Sequence, residues 1–165
     1  MNVANGELSY FLDTSAIAKL YHQEIGSDLV ENLASSPRAH LWIAELTQVE
    51  FHSVCLHKVR EGQLTEEHLQ TVLDCFTDDV RNRFQVVPLN RGMVEQAVTF
   101  LLHYGKQQSL RTLDAFQLAA AQAVTDGSIT FMAADKKLVA VAKNIFPQVI
   151  DPEEESSESQ NPTNR

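Results

Sequence analysis

Short apolar runs recur along the chain at 10–12, 41–43, 84–87, 129–132 and 149–150, and longer stretches of helical periodicity lie between them. The helical stretches fall at about 14–23, 27–35, 44–60, 65–80, 91–105, 112–125 and 135–144. Short apolar strands alternating with helices predict a parallel sheet covered on both faces, so the expected fold class is α/β. The clearest helix is TLDAFQLAAAQAVTDG, with Thr112 as N-cap, an Ala-rich body of high propensity and Gly127 as the stop. Sheets of this class take their ligands at the carboxyl ends of the strands, so the candidate chemistry belongs there.

Composition adds limits. The chain has 165 residues, 44% hydrophobic and 21% charged, the make-up of one globular domain with a core of its own. No apolar run approaches the roughly 20 residues of a membrane span, and the N-terminus has no basic and apolar leader. Cys55 and Cys75 form neither a metal-type spacing nor a disulfide framework. The expectation is a cytoplasmic protein with no membrane attachment. A net charge of -9 argues, taken alone, against a broad basic surface for gripping nucleic acid, but the C-terminal residues account for part of it. Residues 151–165 carry five acids and one base, which leaves -5 on the expected domain, 1–150. Rich in Pro, Ser, Glu and Asn, they are expected to form a disordered acidic tail.

Four acids stand out. Asp13 directly follows the first strand and Asp135 closely follows the fourth, where such folds build sites. Each also has a plain role as the N-cap of the helix it precedes. Asp114 lies in the first turn of the Ala-rich helix, where the macrodipole favours a negative charge. Glu50 differs, since on a helical wheel it shares an arc with Leu46, Val49, Ser53, Val54 and His57. A carboxylate on a core-facing arc must be paired, protonated or metal-bound. Glu45, nearer the edge, reads as a capping or surface acid. Brought to one edge of a sheet, the four would repel one another, and oxygen ligands without convergent His or Cys suit Mg²⁺ or Mn²⁺. The chain contains no P-loop, no G-x-G-x-x-G turn, no H-E-x-x-H and no G-x-S-x-G. Asp13-Thr14-Ser15 also invites comparison with phosphatases that use an Asp nucleophile, but Ser15 stands where their second Asp belongs.

The segments YFLDTSAIAKLYHQEIGSDLV, ELTQVEFHSVCLHKVREGQL, LRTLDAFQLAAAQA and FMAADKKLVAVA, in that order, resemble the PIN domain, in particular the VapC-type toxin nucleases. The likeness covers residues 9–150. It implies a parallel sheet of about five strands flanked by helices and a metal-dependent endoribonuclease. By this resemblance Asp13, Glu50, Asp114 and Asp135 are the catalytic, metal-holding acids, for one or two Mg²⁺ or Mn²⁺ ions, and Ser15 supports the metal shell. Thr14 is a weaker candidate. The implied products carry a 5′-phosphate and a 3′-hydroxyl. Arg111, Lys136 and Lys137 are the nearest cations for substrate phosphate, although Arg111 is equally placed to pair with Asp114. The resemblance further implies a homodimer and a small inhibitory antitoxin, with RNA as substrate. The alternative is a non-catalytic PIN-like scaffold that binds RNA or protein, against which the complete acidic set speaks.

Overall fold

The computed structural model describes residues 8–124 and 128–159, and it builds one sheet from five short strands. These are β1 (Leu8–Leu12), β2 (Ala39–Ala44), β3 (Phe84–Val87), β4 (Ile129–Met132) and β5 (Gln148–Ile150), in the order β3-β2-β1-β4-β5 and all parallel. The helices are α1 (Thr14–Ile17), which runs into a 3-10 turn at Ala18–Leu20, then α2 (Ser27–Ala34), α3 (Thr47–Arg60), α4 (Glu66–Asn82), α5 (Arg91–Gln108), α6 (Thr112–Ala123), α7 (Lys136–Ala142) and α8 (Pro152–Ser159).

The central strand explains the two-sided core. In β1 everything after Leu8 is buried, as a parallel strand covered on both faces requires. Successive side chains point to opposite faces. Phe11 joins the layer of α5, α6 and α7, where it stacks on Phe131 at 5.7 Å, and Phe131 stacks on Phe146 at 5.2 Å. Tyr10 and Leu12 join Val30, Phe51 and Phe76 on the other face, where Phe51 and Phe76 stack at 4.1 Å. Small side chains at Ala115, Ala119 and Ala120 let α6 pack closely on the first layer.

Each expected strand and helix is present, with shifts at the ends, and α8 was not expected. The helix expected from 44 starts at Thr47, because Ala44 is the last residue of β2 and the Glu45 amide bonds the Val87 carbonyl at 2.9 Å. Arg111, not Thr112, caps α6: its backbone is extended, and its amide donates to Asp114 Oδ2 at 3.3 Å. The expected stop at Gly127 lies outside the described residues.

The acidic tail departs from expectation. Asp151 is buried and accepts the Glu153 amide at 2.9 Å, which opens α8 with Pro152 as its first residue. Glu153, Glu154 and Glu155 stand in the first turn, where the dipole favours acids. Gly26 lies under this junction at φ 88°, and a Cβ there would meet the Pro152 carbonyl oxygen at 2.7 Å. The chain is therefore helical from Pro152 to Ser159, and Glu153 in its first turn meets the buried ammonium of Lys19, which composition alone does not register. Residues 160–165 of the expected tail lie outside the described residues.

Candidate metal and substrate site

Asp13 leaves the end of β1 in extended conformation and caps α1. Its Oδ2 accepts the Ser15 amide at 2.9 Å and the Ser15 hydroxyl at 2.6 Å. Ser15 Oγ in turn accepts the Ala134 amide at 2.9 Å, and the Asp13 amide donates to the Met132 carbonyl at 2.9 Å. The exits of β1 and β4 are thus stitched together through one serine. Burial pushes the Asp13 carboxyl up to about 6; the two Ser15 bonds oppose this, and the charges of Glu50 and Asp114 add to it.

Glu50 lies in the first turn of α3 and is half-buried. Its Oε2 accepts from the Thr14 hydroxyl at 2.9 Å and from the amide nitrogen of Gln117. Gln117, buried in α6, also reaches Thr47 Oγ1 at 3.0 Å and Thr14 Oγ1 at 3.2 Å. Its amide oxygen is buried without a partner, because the carboxylate dictates which end of the amide faces it. The arc expected around Glu50 is centred differently in the structure. Thr47, Phe51 and Cys55 form the buried face of α3, while Val49 is 69% exposed and Ser53 and His57 face solvent. Glu50 sits at the edge of the core, where the site's own donors meet it. Glu45 is exposed, a surface acid within the expected pair of roles, and its Oε2 accepts the Leu89 amide at 2.7 Å.

Asp114 is half-buried, and burial raises its pKa; the Arg111 amide lowers it, the charge of Asp135 raises it and that of Arg111 lowers it. Asp135 caps α7 through Oδ1, which accepts from the Lys137 amide at 2.8 Å and the Leu138 amide at 3.2 Å. Mutual repulsion thus links Asp13 with Glu50 and Asp114, and Asp114 with Asp135. In each acid one carboxylate oxygen is committed to protein donors, and the other accepts no hydrogen bond among the described residues. Hard oxygen donors held by one arm with the other free are the donor type that Mg²⁺ and Mn²⁺ take. Among the described residues, however, no three His, Cys, Asp or Glu side chains lie close enough to hold one ion together.

Arg111, Lys136 and Lys137 are exposed, and Arg111 forms no ion pair with Asp114. The sequence reading missed Gln117, whose signal was an amide on the apolar face of an Ala-rich helix, one turn beyond Asp114. It also missed the Glu50 bond of Thr14.

A doubly covered parallel sheet with Asp13 and Asp135 as the caps of the helices that follow β1 and β4, and with Glu50 and Asp114 in the first turns of α3 and α6, defines an α/β domain with acids at its strand exits. The PIN domain family matches residues 10–144, and the chain belongs to that family. A toxin-antitoxin complex from Klebsiella pneumoniae shares the fold at TM-score 0.54 and 20% identity, over 87% of this chain and 97% of that one. VapC20 of Mycobacterium tuberculosis, a toxin that cleaves the Sarcin-Ricin loop, does so at 0.60 and 15%, over 86% and 97%. PAE2754 from Pyrobaculum aerophilum matches at 0.59 and 17%, over 94% and 97%. At such identities the likeness is one of fold. No curated protein sequence matches the chain.

Proposed function

We propose that the protein is a metal-dependent endoribonuclease of VapC type and the toxin of a toxin-antitoxin pair. The observation that carries this reading is the set of four acids at the strand exits and the helices that follow them, each anchored by one oxygen, with repulsion acting between Asp13 and Glu50, Asp13 and Asp114, and Asp114 and Asp135. Asp13, Glu50, Asp114 and Asp135 would hold one or two Mg²⁺ or Mn²⁺ ions. A bound divalent ion supplies an activated water and neutralises charge on the leaving oxygen of the phosphodiester. The chain supplies the positioning: Ser15 fixes the Asp13 carboxylate, and Thr14 and Gln117 fix that of Glu50. Arg111, Lys136 and Lys137, exposed beside Asp114 and Asp135, would take substrate phosphates. The toxin-antitoxin neighbours support an antitoxin partner; the homodimer and the cytoplasmic setting are part of the same proposal.

Incubation of the protein with total RNA tests the reading directly. Fragments bearing 5′-phosphates are expected with Mn²⁺ and none with a chelator, and intact RNA under both conditions would leave the non-catalytic scaffold in its place. Metal holding has a separate measure. At about 100 times its dissociation constant Mn²⁺ should stabilise the fold by roughly 2.7 kcal/mol. Melting curves with and without Mn²⁺ are expected to differ for the unaltered protein and to coincide for Glu50→Gln. An equal shift in both would remove Glu50 from the ligand set.

A further inference from the structure

A pocket of about 300 Å³ opens beside the acidic edge, with Ser15 and Asp135 on one side and Lys19, Glu24, Lys58 and Glu153 on the other. Lys19 is 1% exposed. Each of its three ammonium protons has an acceptor: Glu24 Oε1 at 3.2 Å, the Ile25 carbonyl at 2.7 Å and Glu153 Oε1 at 2.8 Å. Lys58 shares Glu24 through Oε2 at 3.2 Å. Burial alone would raise the Glu24 carboxyl, yet Lys19 and Lys58 outweigh it and hold it below the ordinary value.

The charges in this wall are unevenly sourced. Two ammonium groups and one carboxylate come from α1 through α3 and the segments between them, while the second carboxylate arrives from α8, 134 residues further along the chain. A buried ammonium needs a compensating anion. Glu153, 38% exposed, sits at the open side and supplies it. An RNA phosphate carries the same sign of charge and accepts the same charge-assisted hydrogen bonds. The pocket shares Ser15 and Asp135 with the acidic site, so a strand cut there has its neighbouring backbone within reach of these lysines.

We propose that this pocket is a subsite for an RNA backbone phosphate flanking the scissile one, formed by Lys58 and Lys19, and that Glu153 holds the phosphate's place in the resting protein. The assignment rests on the ribonuclease reading. RNA entry and the Glu153–Lys19 pair exclude each other, so α8 tempers RNA affinity through one carboxylate rather than through diffuse charge. Glu154, which pairs with Lys143 at 3.8 Å, provides the comparison, since it carries the same charge on the same helix and does not line the pocket.

The test measures binding of a short fluorescent single-stranded RNA to full-length protein in the Asp13→Asn background, across a salt series. Glu153→Gln keeps an oxygen acceptor for Lys19, and it is expected to tighten binding severalfold at low salt, with Glu154→Gln near the parent. Lys58→Gln is expected to weaken binding about tenfold and to flatten the salt dependence by roughly one phosphate contact. Equal tightening by both glutamine variants, or none by Glu153→Gln while the parent binds RNA, would overturn the subsite and leave the ribonuclease reading standing. Absence of RNA binding in every form, together with absence of cleavage by the unaltered protein, would overturn both. Melting curves of each variant confirm that the fold persists.

Discussion

Asp13→Asn is expected to lower metal-dependent RNA cleavage by more than about 100-fold, beyond the 10–100-fold typical of losing a mere supporting partner of a metal ligand. The same change should make the metal-free protein more stable at pH 8. Burial, aided by Glu50 and Asp114, raises the Asp13 carboxyl to about 6, whereas an unfolded Asp titrates near 4. The folded protein therefore holds this proton more tightly than the unfolded chain does. Stability is greatest while the group is protonated in both states, and it falls as the pH rises from about 4 through about 6. The loss is on the order of 3 kcal/mol, several degrees in melting temperature for a chain of this size. Asparagine carries no such charge and still serves as an N-cap. Melting curves in chelator at pH 4 and pH 8 should show the Asn variant gaining over the parent at the higher pH and the gap closing at the lower. A variant that melts lower at both, with helical circular dichroism lost, would mark Asp13 as a structural cap alone.

Gln117→Leu is the second change with a large expected effect. Leucine fills a similar volume but removes the donor that Glu50, Thr14 and Thr47 share. A buried acceptor left without its donor costs about 1–3 kcal/mol. Loss of an outer partner of a metal-holding carboxylate lowers affinity or activity about 10–100-fold. Because the amide acts through Glu50, excess Mn²⁺ should recover part of the rate, and Gln117→Leu should need more Mn²⁺ for half-maximal cleavage. An unchanged Mn²⁺ requirement with a simple drop in stability would make Gln117 a packing residue only.

β1 and β4 were legible because parallel strands buried on both faces read as largely apolar runs, and β3 and β4 fall at the positions their runs predict. The places of Asp13 and Asp135 were legible, since both sit in the segments that leave strands. The supports of the acids were not. Gln117 meets Glu50 across 67 residues and Ser15 meets Ala134 across 119, contacts that no local periodicity encodes. The wheel for α3 placed Glu50 on a core-facing arc but centred that arc wrongly, because Phe51 and Cys55, one position beyond Glu50 and Val54, take the core. The tail misled for a related reason. Acid-rich composition signals solvation unless a buried cation waits for it, and Lys19 reads as an ordinary surface lysine in the sequence.

The position of β1 between β2 and β4 also fixes when the four acids can be completed during synthesis of the chain. Ser9 pairs with Ile129 and Leu12 with Met132, partners about 120 residues apart in the chain. Until β4 is made, one side of β1 is an open edge, and the Asp13 amide lacks the Met132 carbonyl and Ser15 Oγ the Ala134 amide. Such distant pairings close late and slowly. A polypeptide whose translation stops before residue 128 keeps the Thr14–Glu50–Gln117 network but lacks Asp135 and the β4 partners of Asp13 and Ser15, so the set of four acids is completed only when that strand and the segment after it are made.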